Sequence, residues 1–280
     1  MADLEVKDDR AASPPPAAPV NPAGYHQATF SFRVAQWLLR LILHSLFIIE
    51  VKGLENIPRQ GGYIFAGNHL SWVDAFLMLI GAPATPRIYF IAAREEVEHP
   101  AWRKFFTQRI GGVIPVDRGS GSPSALRGIA RQVAQVLAGG GVLGLFPEGD
   151  VSGIETGRIL PLKKGIGYFA ANSGAAIVPV AFRGTKELWF RKKIVMVVGK
   201  PIPGERGGKE VIEKQIAATA EALLALMPPP PAQNPKSRRF LKKFLTELAA
   251  NITNLHFENL RFYRRKTPLY LASAIGKHGL

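Results

Sequence analysis

The chain has 280 residues, 47% of them hydrophobic, which is enough for one sizeable α/β core with attachments. A total of 36 Lys and Arg against 21 Asp and Glu leaves a net charge of +15, so the natural partners are anionic: phosphorylated small molecules, an acidic lipid surface or nucleic acid. With no cysteine there is no disulfide framework, no thiol nucleophile and no cysteine metal site, which fits a reducing compartment.

Residues 1–27 open with acidic side chains and continue through Ser13-Pro14-Pro15-Pro16-Ala17-Ala18-Pro19, with no basic region ahead of an apolar one. They read as a disordered leader and not as a secretory signal. Residues 30–49 are strongly apolar but are interrupted by Arg33, Gln36, Arg40 and His44 at intervals of three or four, the periodicity of a helix with one narrow polar stripe. Two arginines in that stretch argue against crossing a bilayer and leave two settings for residues 28–52. The helix lies in a membrane interface that keeps both arginines wet, or it packs on the domain with its stripe in water.

Beyond Gly53, β-rich runs at 63–66, 87–92, 112–116, 142–146, 177–182 and 194–198 alternate with helical stretches at 72–80, 100–109, 124–137, 164–173 and 209–227. This βαβ rhythm predicts an α/β domain over 53–227 with a mostly parallel sheet flanked by helices, whose ligands gather at the strand C-terminal ends. Four prolines, Pro228 to Pro231, end it as an extended spacer. Residues 228–280 form a Pro-rich linker and a basic helical tail with ten basic and two acidic side chains. A helix over 237–261 places Leu241, Phe244, Leu245, Leu248, Ile252 and Leu255 on one face, either as a second membrane contact or as an appendage on the core or a partner.

Three polar groups directly follow predicted strands: Asn68-His69, Asp117-Arg118 and Pro147-Glu148-Gly149. In Gly67-Asn68-His69-Leu70-Ser71-Trp72-Val73-Asp74 an imidazole and a carboxylate stand five residues apart, a base with an orienting acid of the kind found in acyl-transfer sites. On a regular helix that spacing turns the side chains about 140° apart, so a contact requires His69 to lie in the preceding loop. A helix start at Ser71, with Asp74 as its N3 carboxylate, supplies such a loop, and its backbone amides are candidate oxyanion donors. There is no G-x-S-x-G elbow, so transfer is expected to be direct. His26, His44, His99, His256 and His278 lack a comparable partner, and no H-E-x-x-H spacing points to a metal.

Four blocks, taken in order, resemble the glycerolipid acyltransferase family, whose best-known members are 1-acylglycerol-3-phosphate acyltransferases. They are His69 with Asp74, then Gly112-Val113-Ile114-Pro115-Val116-Asp117-Arg118, Phe146-Pro147-Glu148-Gly149, and Ile177-Val178-Pro179-Val180-Ala181-Phe182, within a resemblance covering residues 53–205. The resemblance implies a glycerol-3-phosphate acyltransferase-like fold. It makes His69 the general base and Asp74 its orienter. Arg118 is the clamp on the acceptor phosphate, assisted by Arg94, and Glu148 and Gly149 shape the acceptor pocket, the glutamate orienting a substrate hydroxyl or a basic side chain. The family commonly carries Thr and Arg after that glycine, where this chain has Asp150 and Val151; Lys163 and Lys164, or Arg158, are candidates for the missing cation. The fourth block is a core strand or lines the acyl channel.

By that resemblance the reaction moves a fatty acyl group from acyl-CoA or acyl carrier protein, used as co-substrates with no cofactor, to the free hydroxyl of a lysophospholipid. The expected acceptor is 1-acyl-sn-glycerol 3-phosphate, giving phosphatidic acid at the cytoplasmic face of a membrane, with an anionic membrane surface as partner. A different lysolipid acceptor and a non-catalytic anionic-lipid binder are the alternatives. Arg261-Phe262-Tyr263-Arg264-Arg265 interleaves basic and aromatic residues without a nucleic-acid motif, and no nucleic-acid partner is expected.

Overall fold

The strand Tyr63–Gly67 (β2) is buried at every position, as a central strand covered on both faces has to be. Tyr63 and Phe65 enter one core cluster and Ile64 and Ala66 the other, the alternation a pleated strand imposes. The computed structural model describes residues 27–59, 62–71, 73–93, 112–116, 123–149, 151, 158–227, 241, 242, 244, 245, 270 and 271.

Around β2 lies a sheet of seven strands in the order β1-β8-β7-β2-β5-β3-β4, formed by Phe47–Lys52 (β1), Ile88–Ala93 (β3), Val113–Val116 (β4), Val142–Leu145 (β5), Ala176–Arg183 (β7) and Lys192–Val198 (β8). Every neighbouring pair is parallel except β7 with β8. Two short strands, Arg158–Ile159 (β6) and Tyr270–Leu271 (β9), pair antiparallel to each other. Helices Phe30–Leu46 (α1) and Val73–Gly81 (α2) pack on one face, around Leu43, Phe65, Leu77, Met78, Phe182 and Met196. Pro123–Ala138 (α3), Gly165–Ser173 (α4) and Lys209–Leu226 (α5) cover the other.

The predicted mostly parallel sheet is thus observed, and its strands lie within two residues of the predicted runs. One element differs. Residues 47–49 do not continue the first helix but begin β1, which runs parallel to β8 from Phe47↔Lys192 to Lys52↔Val197. The β-branched run Ile48, Ile49, Val51 satisfies its backbone there in a ladder, which a helix crowded by branched side chains serves less well. The sheet therefore starts before Gly53, the expected domain boundary. The predicted helix at 100–109 lies outside the described residues, as does most of 237–261. Of the latter, Leu245 is buried against the first core cluster and Lys242 pairs with Glu187 at 3.0 Å.

Of the polar stripe of α1 only Gln36 is buried in the protein, while Arg33, Arg40 and His44 stay exposed. Gln36 is buried and its Nε2 donates to the carbonyls of Leu79 (2.8 Å) and Ala82 (3.1 Å). Arg40 donates to the Ile80 carbonyl at 2.5 Å, and Arg33 to the Thr85 hydroxyl at 3.4 Å. The last carbonyls of α2 have no partner within their own helix, and these side chains provide one. Phe32 and Leu43 are buried, but a second set of apolar residues turns outward: Phe30 is 83% exposed and Trp37 60%, with Val34, Leu38, Leu41 and Ile42 exposed beside them.

Replacing Gln36 with Leu is expected to lower the unfolding free energy by about 1–3 kcal/mol in urea titration, because two buried carbonyls lose their donor.

Candidate active site

Strands β2 and β5 are neighbours in register up to Ala66↔Leu145, so the chain leaving each at its C-terminal end emerges side by side. This adjacency brings residues 68–74 and 146–149 together although some 75 positions separate them. Asn68 continues the ladder with its side chain: its Nδ2 donates to the Phe182 carbonyl at 3.1 Å and its Oδ1 accepts the Phe182 N–H at 2.7 Å. A primary amide reproduces the donor and acceptor of a peptide, which clamps the start of the loop onto β7.

His69 lies in that loop, as its contact with Asp74 requires. Its Nδ1 is 3.1 Å from Asp74 Oδ2. The same oxygen accepts the backbone N–H groups of Leu70 (2.6 Å) and Ser71 (2.7 Å), and Asp74 is fully buried. The capping and orienting roles of Asp74 therefore coincide in one atom. A carboxylate can only accept, so Nδ1 carries the hydrogen, and in the neutral ring the lone pair is on Nε2. The imidazole stacks on Phe146 with ring centroids 4.1 Å apart and planes 15° apart, and Phe146 in turn leans on Phe182. Asp74 thus fixes the ring's direction and Phe146 its plane, while the histidine side chain keeps 19% of its surface exposed.

Glu148 is 1% exposed. Its Oε1 accepts the His69 N–H at 2.9 Å and its Oε2 the Leu160 N–H at 2.8 Å. Burial pushes this carboxyl up to about 7, against the pull of those two amides. The expected role, orienting a substrate hydroxyl or a basic side chain, is not what the geometry displays, since each oxygen meets a backbone amide. Gly149 adopts φ 69°, where a side chain is strained, and a Cβ there would lie 3.0 Å from Lys163 Cγ. Its close approach is to that lysine stem. Lys163 donates its N–H to the Pro147 carbonyl at 2.7 Å, and Lys164 stands at the start of α4; both side chains are exposed. Arg94 and Arg118 lie outside the described residues, while the strands before them, β3 and β4, run parallel to β2 and end toward the same edge.

At the Ser71 helix start, where oxyanion donors were expected, Trp72 lies outside the described residues and the amides around it already have partners. The amides of Leu70 and Ser71 are taken by Asp74, that of His69 by Glu148, that of Val73 by Ser71 Oγ (3.3 Å) and that of Asp74 by the Ser71 carbonyl (3.1 Å). Asn68 and Phe146 are site residues that sequence reasoning left without a role. Their signal was present, a polar and an aromatic side chain immediately beyond two strands that turn out to be adjacent. Among the described residues no cluster of histidine and carboxylate side chains could hold a metal ion, and no helix is long and apolar enough to cross a membrane.

Residues 48–183, from β1 to the end of β7, match the sequence model of the acyltransferase family. That span contains the dyad, Phe146, Glu148 and Lys163, so the similarity to acyltransferases covers the site just described. Among its relatives is the 1-acyl-sn-glycerol-3-phosphate acyltransferase of Bacillus subtilis, 29% identical over 188 residues that cover 66% of this chain and 89% of the relative. The enzyme of the same name from Limnanthes alba is 32% identical over 159 residues, and the chain spans about half of its length (53%). The crystal structure of the 1-acyl-sn-glycerophosphate acyltransferase PlsC from Thermotoga maritima superposes with a TM-score of 0.56 over 69% of this chain and 78% of that one; at 22% identity this speaks for the fold.

The raised Glu148 carboxyl makes a signed prediction. Between its ordinary value of 4.5 and about 7 the folded chain binds the proton more tightly than the unfolded chain, so unfolding free energy falls as pH rises through that window. Relative to Glu148→Gln, which lacks the titration, the wild type should lose on the order of a few kcal/mol between about pH 5 and about pH 8 in chemical denaturation.

Proposed function

We propose that the protein is an O-acyltransferase that moves a fatty acyl group from the thioester of acyl-CoA or acyl carrier protein to the free hydroxyl of 1-acyl-sn-glycerol 3-phosphate, giving phosphatidic acid. The observation that carries the reading is the imidazole held at 3.1 Å by a buried carboxylate, with no partner on its other nitrogen among the described residues, at the C-terminal edge of a mostly parallel sheet. The names of the relatives support the acceptor.

In this reaction His69 Nε2 takes the hydroxyl proton as that oxygen attacks the thioester carbonyl. A carbon–oxygen bond forms, the carbon–sulfur bond breaks, and the departing thiolate receives the proton from the imidazolium. Asp74 keeps the ring in the required tautomer and faces the transient positive charge on it, and the stacked Phe146 ring presents a π face to the same charge. Lys163 and Lys164, with Arg94 and Arg118, are the cations assigned to the acceptor phosphate. No cofactor is used. The enzyme sits peripherally at the cytoplasmic face, where the exposed Phe30, Trp37, Leu38, Leu41 and Ile42 of α1 enter the apolar edge of an anionic bilayer and the basic tail meets its headgroups.

His69→Ala should reduce acyl transfer to 1-acylglycerol 3-phosphate by about a thousandfold or more, and Asp74→Asn by about a hundredfold or more, with the fold intact by circular dichroism. Equal rates in wild type and His69→Ala exclude this base. For the membrane, Trp37→Glu combined with Leu41→Glu should weaken co-sedimentation with vesicles containing phosphatidylglycerol while leaving urea unfolding within about 0.5 kcal/mol of wild type, because both side chains already face outward. Unchanged partitioning rejects α1 as the contact.

A further inference from the structure

Glu148 joins two stretches of chain through backbone amides: the loop holding His69, at 2.9 Å, and residue Leu160 of the segment that leads to the two lysines, at 2.8 Å. Placing a carboxylate in the interior is expensive unless it is well paired. Among the described residues no Lys or Arg pairs with this one, and the two amides it fixes offset its burial only in part. The second segment is tied down again beside it. The Lys163 N–H donates to the Pro147 carbonyl at 2.7 Å, and the backbone of Gly149 lies against the Lys163 stem.

We infer that Glu148 is a positioning residue, a strut that sets where the His69 base stands relative to the segment 158–164 with its exposed lysines, and not a ligand of the acceptor. The inference rests on the acyl-transfer reading and deepens it. The side chain has to be a carboxylate because both groups it holds are donors. A glutamine offers one acceptor oxygen and turns an NH2 toward the other N–H. An aspartate keeps two acceptors but is one methylene too short to span both amides.

The test compares the full chain as wild type, Glu148→Gln and Glu148→Asp. Three readouts are taken: the ring-nitrogen NMR signals of His69 without substrate, identified by their loss in His69→Ala; backbone hydrogen exchange over 68–71 and 158–161, also without substrate; and kcat and KM for 1-acylglycerol 3-phosphate. Glu148→Gln should move the His69 signals and speed exchange over both segments by about tenfold or more. It should lower kcat by about tenfold or more with the acceptor KM within about threefold, since the base is displaced while the lysines remain. Glu148→Asp should shift the same readouts in the same direction by less. Unmoved His69 signals and exchange together with a raised KM make Glu148 an acceptor ligand and overturn the inference, as does faster exchange in one segment alone. If Glu148→Gln does not fold, Glu148→Asp is judged by the same criteria, and loss of fold in both overturns the assignment. Should the wild type acylate no lysolipid, the proposed reaction fails while the two substrate-free readouts still decide the strut.

Discussion

One oxygen of one carboxylate organises this site. Asp74 Oδ2 accepts from the His69 ring and from the amides of Leu70 and Ser71, so a single atom begins a helix, shapes the loop before it and sets a tautomer. Three donors converging on a fully buried acceptor leave little rotational freedom to the acid, and the imidazole inherits that rigidity. Catalysis by a positioned base depends on such fixity, because a proton is transferred efficiently only along a short, aligned path.

The surrounding fold repeats this economy. Asn68 uses a side-chain amide to extend a ladder beyond the strand, and Phe146 turns the residue after β5 into a platform for the ring. Neither group needs to touch a substrate to matter. Each converts the adjacency of two parallel strands, which is a property of the sheet, into the placement of one nitrogen.

Much of this was legible in the residues. The βαβ rhythm yielded the parallel sheet, because fully buried strands read as short apolar runs, and the five-residue spacing of His69 and Asp74 already demanded a loop followed by a capped helix. The misjudged features depend on tertiary partners that a pattern does not contain. Residues 47–49 continue an apolar helical pattern and become strand only because β8 offers an unpaired edge. The polar stripe of α1 has the period of a solvent-facing surface, and only the carbonyl end of α2 explains why Gln36 in it points inward. For Glu148, the motif indicated an important acid but could not say that both of its oxygens meet backbone amides.

A helix that buries Phe32, Gln36 and Leu43 against the protein leaves a run of apolar side chains open beside its exposed arginines. On α1 the result is a ridge of aromatic and aliphatic side chains on a chain of high positive charge. Such a ridge is adhesive wherever no amphiphile covers it, and like-charge repulsion of +15 is the main force resisting clumping in dilute buffer. Added salt screens that repulsion while leaving the apolar ridge in place, which favours association of the ridges over dispersal.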